Sequence, residues 1–195
     1  MTKSTLAHII PSKTRRNILA YFFEKPTEAV HLRRVARELD EQINAVAREL
    51  AILEKAKVLR KEKRENKVYF SVREDSVLHE DLLRIFLKEG SLASSLRQNL
   101  PKLGKVSYIV VSRNLATRTP IKDQEIYLLV VGTIVVPEVD AIITHEKGNF
   151  PFEINYTVMT DEEFTYRKKN NDPFIWNFLK NPKIMIVGDE GELVG

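Results

Sequence analysis

The sequence contains no cysteine among its 195 residues. Disulfide bridges, thiolate metal sites and thiol-based redox sensing are therefore excluded. The longest apolar run, Ile126 to Val136, contains a glycine and is shorter than a membrane-spanning helix. The first residues lack the apolar core of a secretory signal peptide, so the sequence predicts a cytoplasmic protein that does not enter membranes.

Motifs for metal binding and catalysis are also scarce. The four histidines are scattered along the chain without metal-ligand spacing, at His8, His31, His79 and His145. The sequence has no glycine-rich phosphate loop and no serine, histidine and aspartate set in a nucleophile context. We therefore expect no metal, no cofactor and no catalytic residues.

Charge is unevenly distributed along the chain. Residues 1–75 contain 17 Lys and Arg against 11 Asp and Glu, whereas residues 76–195 contain 14 against 16. A basic segment attracts polyanions such as nucleic acids, although mixed charge is also typical of an ordinary solvated surface. The first 75 residues are thus the candidate polyanion-binding region.

Three amphipathic helices are predicted in this basic region. Ser12 is a typical N-cap, and Pro26 ends the first helix. Two further apolar stripes follow at helical spacing, interrupted by Asp40, Glu41 and Gln42, which predict a turn. The stripes consist of Leu32, Val35, Ala36 and Leu39, and then of Ile43, Val46, Leu50 and Leu53.

The third helix presents polar residues opposite its apolar stripe, and these suit base recognition. Arg binds guanine in bidentate fashion, Asn and Gln bind adenine, and a small Ala permits close approach. Any surface helix has a polar face, however, and Glu49 and Glu54 make this one mixed in charge. The candidate recognition residues are Gln42, Asn44, Ala45, Arg48 and Lys55.

A basic hairpin is predicted after the third helix. Val58–Glu62 and Val68–Val72 read as strands, and Asn66 can adopt a left-handed turn conformation between them. Such a wing could hold DNA phosphates or reach into a minor groove. Either Tyr69 or Phe70 is expected to pack on the core. The candidate DNA-binding residues of the hairpin are Lys61, Lys63, Arg64 and Lys67.

Residues 76–103 have the pattern of two further helices, one starting near Ser76 and one spanning Leu92 to Leu100. Proteins that read the major groove often pair to reach two half-sites, so these helices are candidates for forming a homodimer. Alternatively, they pack against the C-terminal domain.

Residues 104–195 alternate between strand and helix patterns, which predicts a mixed α/β domain. The predicted strands are Val106–Val111, Ile126–Val131, Ile154–Met159 and Ile184–Val187, with a helix from Pro137 to Glu146. Thr160 opens a capping box, and Asp172 precedes a proline at the start of another helix. The whole chain is thus expected to be α+β, with domains at 1–75 and 104–195.

Two resemblances to known families follow from these residues. Residues 12–75 resemble the ArsR-type or MarR-type winged helix-turn-helix of prokaryotic regulators, most clearly over residues 42–50 and 53–56. The C-terminal half resembles the minimal nucleotidyltransferase-like domain found fused to such winged helices. The matching segments are residues 125–132, 153–160, 162–164, 172–174 and 183–190.

The chain departs from the second family at its functional positions. The resemblance implies a Gly-Ser turn after the first strand and an Asp-x-Asp pair on the second, but here they are Val111-Ser112 and Glu125-Ile126-Tyr127. Tyrosine does not replace a carboxylate as ligand for a hard cation near neutral pH. Glu125 with Glu153, near the third acid position, does not make a two-metal site. The domain is therefore expected to be catalytically inactive.

Together these features predict a regulator that binds specific sequences in double-stranded DNA, and not an enzyme. The expected state is a homodimer, with an effector of unknown identity at the C-terminal domain. Two alternatives remain open at this point. One is a divergent nucleotidyltransferase that uses Glu125 and Glu153, and the other is a protein-interaction module.

Overall fold

The computed structural model describes residues 5–195, which divide into two compact units, one ending at Glu89 and the other comprising Gly90–Gly195. Each unit combines helices with one β-sheet, so the predicted α+β class is confirmed. Within the described residues, the helices are too short or too polar to cross a bilayer.

The first unit is a set of helices beside a small antiparallel sheet of order β1-β3-β2. Ser12 caps α2 as predicted, because its Oγ accepts a hydrogen bond from the backbone N–H of Arg15 at 3.2 Å. The elements are α1 (Leu6–Ile9), α2 (Lys13–Glu24), β1 (Val30–His31), α3 (Leu32–Glu38), α4 (Ile43–Lys55), β2 (Leu59–Arg64), β3 (Lys67–Val72) and α5 (His79–Glu89).

A tight turn separates α3 from α4 at the predicted position. Asp40 adopts a left-handed conformation with φ of 50°, and the N–H of Glu41 donates to the carbonyl of Ala36 at 3.0 Å. This bond satisfies a carbonyl that the end of α3 leaves without a helical partner. The turn therefore ends α3 and allows α4 to begin in a new direction.

The hairpin is longer and its turn tighter than the sequence predicted. The strand ladder continues to the pair Arg64 and Lys67, which leaves only Glu65 and Asn66 in the turn. Glu65 takes the left-handed conformation, with φ of 53°, so the assignment of that role to Asn66 is wrong. Phe70 packs on the core with 6% of its surface exposed, as expected for one of the two aromatic residues.

The two helical segments between residues 76 and 103 belong to different units. Helix α5 packs on α2, where the rings of Phe23 and Phe86 stack with their centres 5.5 Å apart. The next two helices, α6 (Ser91–Gln98) and α7 (Leu100–Leu103), replace the single predicted helix and lie in the second unit. Asn99 separates them, and Pro101 stands in the first turn of α7, where its missing N–H costs nothing.

The second unit contains a four-stranded sheet of order β6-β5-β4-β7, in which the β5–β6 pair is parallel and the other two pairs are antiparallel. Thr160 and Asp172 cap their helices as predicted. The remaining elements are β4 (Gly104–Ser112), α8 (Arg113–Ala116), β5 (Leu128–Ile134), α9 (Val136–Glu146), a 3-10 turn (Lys147–Asn149), β6 (Tyr156–Met159), α10 (Asp161–Lys169), α11 (Pro173–Lys180), β7 (Lys183–Val187) and α12 (Glu190–Val194).

Glu146 holds α6 in the second unit. This carboxylate is 1% exposed, and it accepts hydrogen bonds from Ser91 Oγ at 2.5 Å and from Asn149 Nδ2 at 2.8 Å. Burial raises the pKa of Glu146, but these hydrogen bonds together with that from His145 outweigh it and hold the pKa below its usual value. The buried Glu146 carboxylate thus fixes α6, and the sequence pattern did not predict this contact.

Lys57 offers a test of the backbone at the end of α4. It has a φ of 58°, and the next residue, Val58, donates from its N–H to Leu53 O at 3.0 Å. An L-residue in this conformation costs about 1–2 kcal/mol and glycine is unstrained there, although glycine loses more entropy on folding. Lys57→Gly is therefore expected to raise the free energy of unfolding by about 0.5–1 kcal/mol. Lys55→Gly removes a lysine side chain from within the helix and is expected to lower the free energy of unfolding by about 1 kcal/mol.

The measurement is urea unfolding of the two variants and the wild type. Because both substitutions remove one lysine charge from neighbouring exposed positions, electrostatic effects largely cancel in the comparison. Equal destabilisation by the two substitutions would contradict the assignment of strain to Lys57.

Candidate nucleic-acid interface

Helix α4 has one buried stripe and one solvent-exposed stripe on opposite sides. The two stripes follow from helical spacing, since residues three and four positions apart share a side of a helix. Ala51 belongs to the exposed stripe, although the sequence analysis did not select it. The buried stripe consists of Val46, Leu50 and Leu53. The exposed stripe, here called the outer face, consists of Asn44, Arg48, Ala51 and Lys55.

The other two candidates on this helix lie off the outer face. Gln42 is the exposed residue at which α4 begins, and its carbonyl accepts the N–H of Val46 at 3.0 Å. Ala45 is half-buried and lies on the flank of α4 that also contains Glu49. The structure therefore brings Asn44, Arg48 and Lys55 together, with Gln42 at the helix end and Ala45 to the side.

Glu49 links α4 to the start of α2. Its carboxylate accepts a hydrogen bond from Ser12 Oγ at 2.7 Å and another from Arg15 Nε at 2.7 Å. The side chain is 16% exposed, so burial has the largest single effect and raises the pKa. The bonds from Ser12 and Arg15, with the positive charges of Arg15 and Arg48, outweigh burial and hold the pKa of Glu49 below its usual value.

Two further carboxylates bind side chains of α2. Glu41 accepts hydrogen bonds from Thr14 Oγ1 at 3.1 Å and from Asn17 Nδ2 at 3.3 Å. Glu38 accepts one from Tyr21 OH at 2.8 Å. One acidic residue from each of α3, the turn and α4 thus binds a side chain of α2.

The Glu38 carboxylate is the most strongly stabilised of the three. Hydrogen bonds from Arg34 and then from Tyr21 lower its pKa to about 2, and the nearby charge of Lys25 adds to the effect. Its bond to Arg34 Nε is 2.6 Å long. Because this charged hydrogen bond links residues one helical turn apart, it stabilises α3 itself.

The four basic candidates of the hairpin divide between its two faces. Successive residues of a strand point to opposite sides, and directly paired residues share a side. Lys61 and Lys63 therefore lie on the same face as the buried Leu59, whereas Arg64 and its pair Lys67 lie on the other face. The predicted single cluster is thus two pairs of cations, one on each face.

Arg64 differs from the hairpin lysines because it is engaged within the unit. Its Nη2 donates to Glu62 Oε2 at 2.9 Å, and its guanidinium carbon lies 5.2 Å from the ring centre of Tyr69. The Tyr69 ring meets that of His31 edge to face, and His31 Nδ1 accepts the N–H of Arg33 at 3.2 Å, which caps α3. His31 therefore connects the hairpin to α3, a role that the sequence analysis missed.

The remaining predicted cations are exposed and unpaired. Among residues 5–195, no carboxylate oxygen lies within 4 Å of the cationic nitrogens of these side chains. Exposed cations without internal partners are available to phosphate or to base edges. They are Arg48, Lys55, Lys61, Lys63 and Lys67.

In the second unit, the positions that the nucleotidyltransferase resemblance selected have structural roles. Ser112 Oγ accepts the N–H of Leu115 at 3.4 Å and caps α8. Tyr127 is 2% exposed and stacks on Phe152 with ring centres 4.4 Å apart. Its hydroxyl donates to Thr119 O at 3.2 Å, and burial raises its pKa, so the phenol stays neutral.

Glu125 and Glu153 are engaged separately. Glu125 Oε2 accepts the N–H of Lys122 at 3.1 Å, whereas Glu153 is largely exposed and pairs with Lys147 Nζ at 2.6 Å. In the part of the chain that the structure describes, no three histidine or acidic side chains are grouped to hold a metal ion.

Comparisons with known proteins give little further information. No protein-family model matches the chain, and no curated protein matches it. A solved structure described as a possible transcriptional regulator from Methanosarcina mazei Go1 matches with 13% identity and a TM-score of 0.33. The match covers 48% of this chain and 80% of that chain. At that identity and TM-score, it assigns neither a fold nor a function.

The contacts of Glu49 predict a loss of stability in Glu49→Gln. The amide cannot accept two charge-assisted hydrogen bonds, so the free energy of unfolding at pH 7 is expected to fall by about 1.5–3 kcal/mol. Because the folded-state pKa of Glu49 is lowered, its contribution is fully present above the unfolded pKa of about 4.3 and is lost as the pH falls through the folded value.

Chemical denaturation between pH 3 and pH 7 measures this contribution. The matched control is Glu54→Gln, because Glu54 is exposed on the same helix and has no ion pair among the described residues. The role given to Glu49 would be refuted if the loss of unfolding free energy in Glu49→Gln stayed constant down to pH 3. It would also be refuted if Glu54→Gln caused the same loss.

Proposed function

We propose that the protein is a cytoplasmic transcriptional regulator that binds specific sequences in double-stranded DNA through a winged helix-turn-helix. The observation that carries this proposal is the outer face of α4. Its polar side chains are exposed, while Glu49, one of the two acids of α4, binds Ser12 and Arg15 at the start of α2. A helix with this distribution of charge fits the major groove of DNA.

The side chains of the outer face suit readout of base edges. Arg48 can donate two hydrogen bonds to guanine, and Asn44 can bind adenine at its N6 and N7 positions. Ala51 adds a small apolar surface between Arg48 and Lys55, which permits close approach and contact with a thymine methyl group. Lys55, at the end of the helix, is placed to contact phosphate.

The hairpin supports binding through the minor groove. Its lysines lie on both faces, with Lys61 and Lys63 on one and Lys67 on the other. A ribbon inserted edge-on into the minor groove has a phosphate backbone on each side, so cations on both faces find partners. We therefore favour insertion of the wing over contact with a single backbone.

We further propose that the C-terminal unit is not catalytic. Tyr127, at the position of the second metal-binding acid in the nucleotidyltransferase resemblance, is neutral, buried and bonded to the backbone of Thr119. Glu125 alone offers one carboxylate, which is fewer than a two-metal site needs. In this proposal the unit serves as a scaffold and a sensor.

Two substitutions separate base readout from phosphate binding. Arg48→Ala is expected to reduce the preference for the best site over scrambled DNA by about 1–3 kcal/mol, because a base contact is lost. Lys63→Ala is expected to weaken binding to all sequences alike and to reduce the salt slope by about one.

The preferred site is first selected from a random duplex pool, and titrations at two salt concentrations follow. The proposal requires that wild type binds the selected site about a thousandfold or more tighter than scrambled DNA. The proposal would be refuted if the protein bound all DNA sequences equally, or if binding were unchanged in both variants.

Helix α5 is the proposed dimer element, because it has a second apolar stripe. One stripe is buried in the unit, while Ile85 of α5 and Leu78, the residue just before the helix, remain 39% and 47% exposed on another side, with the half-buried Leu82 between them. Asp81 and Arg84 flank this stripe, and neither forms an ion pair among the described residues. In an antiparallel pair of α5 helices, Asp81 of each copy approaches Arg84 of its partner, which favours two-fold symmetry.

Ile85→Glu is therefore expected to convert a homodimer into a monomer, because the charge would be buried in the interface between the two α5 helices. Sedimentation equilibrium at micromolar concentration measures the mass. Ile52→Glu changes a residue of similar exposure, 45%, on α4 and should leave the mass unchanged. A monomeric wild type, or a dimeric Ile85→Glu, would show that α5 does not mediate pairing.

A further inference from the structure

The second unit contains a cavity of about 200 Å³ between the start of α8, the loop before β5 and helix α11. A second, more open hollow is lined in part by the same residues, among them Glu125 and Phe174. The side chains of Glu125 and Phe174 therefore lie at the side of the cavity that borders the open hollow. The walls of the cavity include Asn114, Ile121, Glu125, Phe174, Asn177 and Phe178.

The charge of the cavity is set by Glu125. It is half-buried, and no cationic nitrogen lies within 4 Å of its carboxylate in residues 5–195. Asp123 adds a second negative charge at the wall of the open hollow. The cation in the lining, Arg113, is already engaged within the chain. A carboxylate in the cavity wall with no cation within 4 Å favours a cationic ligand over an anionic one.

The apolar lining limits the size and nature of the ligand. Ile121, Phe174 and Phe178 contribute hydrocarbon surface, and an apolar cavity of about 150 Å³ is enough to hold benzene. A volume of about 200 Å³ thus suits a ring or short alkyl body with one small polar group. Phe174 lines both hollows, as Glu125 does, and an aromatic ring can attract an ammonium group.

We infer that this cavity binds a small organic cation, an ammonium group on a compact apolar body, with Glu125 as its counter-ion. The chemistry of the lining disfavours other ligands. Phosphate groups would meet Glu125 in the cavity and Asp123 in the open hollow, and a hard divalent cation would find a single carboxylate in the cavity, that of Glu125. The inference concerns the second unit alone and does not depend on DNA binding.

The probe is benzylamine, which is protonated at pH 7, and its neutral counterpart is benzyl alcohol, which has nearly the same shape. Titration of the full chain, followed by two-dimensional NMR, is expected to show saturable binding of the amine, with the alcohol bound at least about tenfold more weakly. This comparison uses wild-type protein, so it decides the question even if a variant fails to fold. Equal binding of the two molecules, or no saturation by the amine, would overturn the inference.

Glu125→Gln tests the counter-ion directly. It is expected to weaken benzylamine binding about tenfold and to leave benzyl alcohol binding unchanged. Glu153→Gln is the matched control, because Glu153 is exposed, pairs with Lys147 and does not line the cavity, so it should bind the amine as wild type does. Retained affinity in Glu125→Gln, or displacement of the amine by Mg²⁺ with ATP, would count against an organic-cation site.

Discussion

The arrangement of the first unit depends on one partly buried contact, in which Glu49 of α4 accepts hydrogen bonds from Ser12 and Arg15 at the start of α2. Ser12 takes part twice, because the same hydroxyl caps α2 through its oxygen and donates its proton to Glu49. A helix that packs only by apolar contacts can rotate by small amounts at little cost, whereas two charge-assisted bonds fix its rotation. Since Arg48 is the neighbour of Glu49 in sequence, fixing one residue sets the direction of the other.

This contact also explains how a region with modest net charge presents a basic surface. Residues 1–75 contain 11 acids, and three of them, Glu38, Glu41 and Glu49, bind side chains of α2. Their carboxylates are directed toward α2, whereas Arg48 and the hairpin lysines have no ion pair among the described residues and remain exposed elsewhere on the unit. The potential that an approaching polyanion meets is therefore more positive than the net charge implies.

Local features of the fold could be predicted from sequence, and long-range partners could not. Ser12, Thr160 and Asp172 cap their helices as expected, because a cap bonds to N–H groups two or three residues away. The bond between Ser12 and Glu49 joins residues 37 positions apart, and that between Ser91 and Glu146 joins residues 55 apart. No periodicity encodes such a pair. The outer face of α4 was largely predictable because it follows from helical spacing, while Ala51 was missed because alanine is weakly informative in any pattern.

Charge is segregated between the two parts of the chain, and this matters for specificity. Residues 76–195 contain more acids than bases, and Glu125 adds a half-buried charge with no internal counter-ion. Cations spread over both parts would raise affinity for every DNA sequence alike, since phosphate contacts carry no sequence information. In the proposed interface, the unpaired cations lie on α4 and the hairpin. Phosphate binding therefore depends on the docking of α4. In the proposed complex, base readout by Arg48 and Asn44 would then account for a larger share of the total affinity, which is the condition for discrimination between sites.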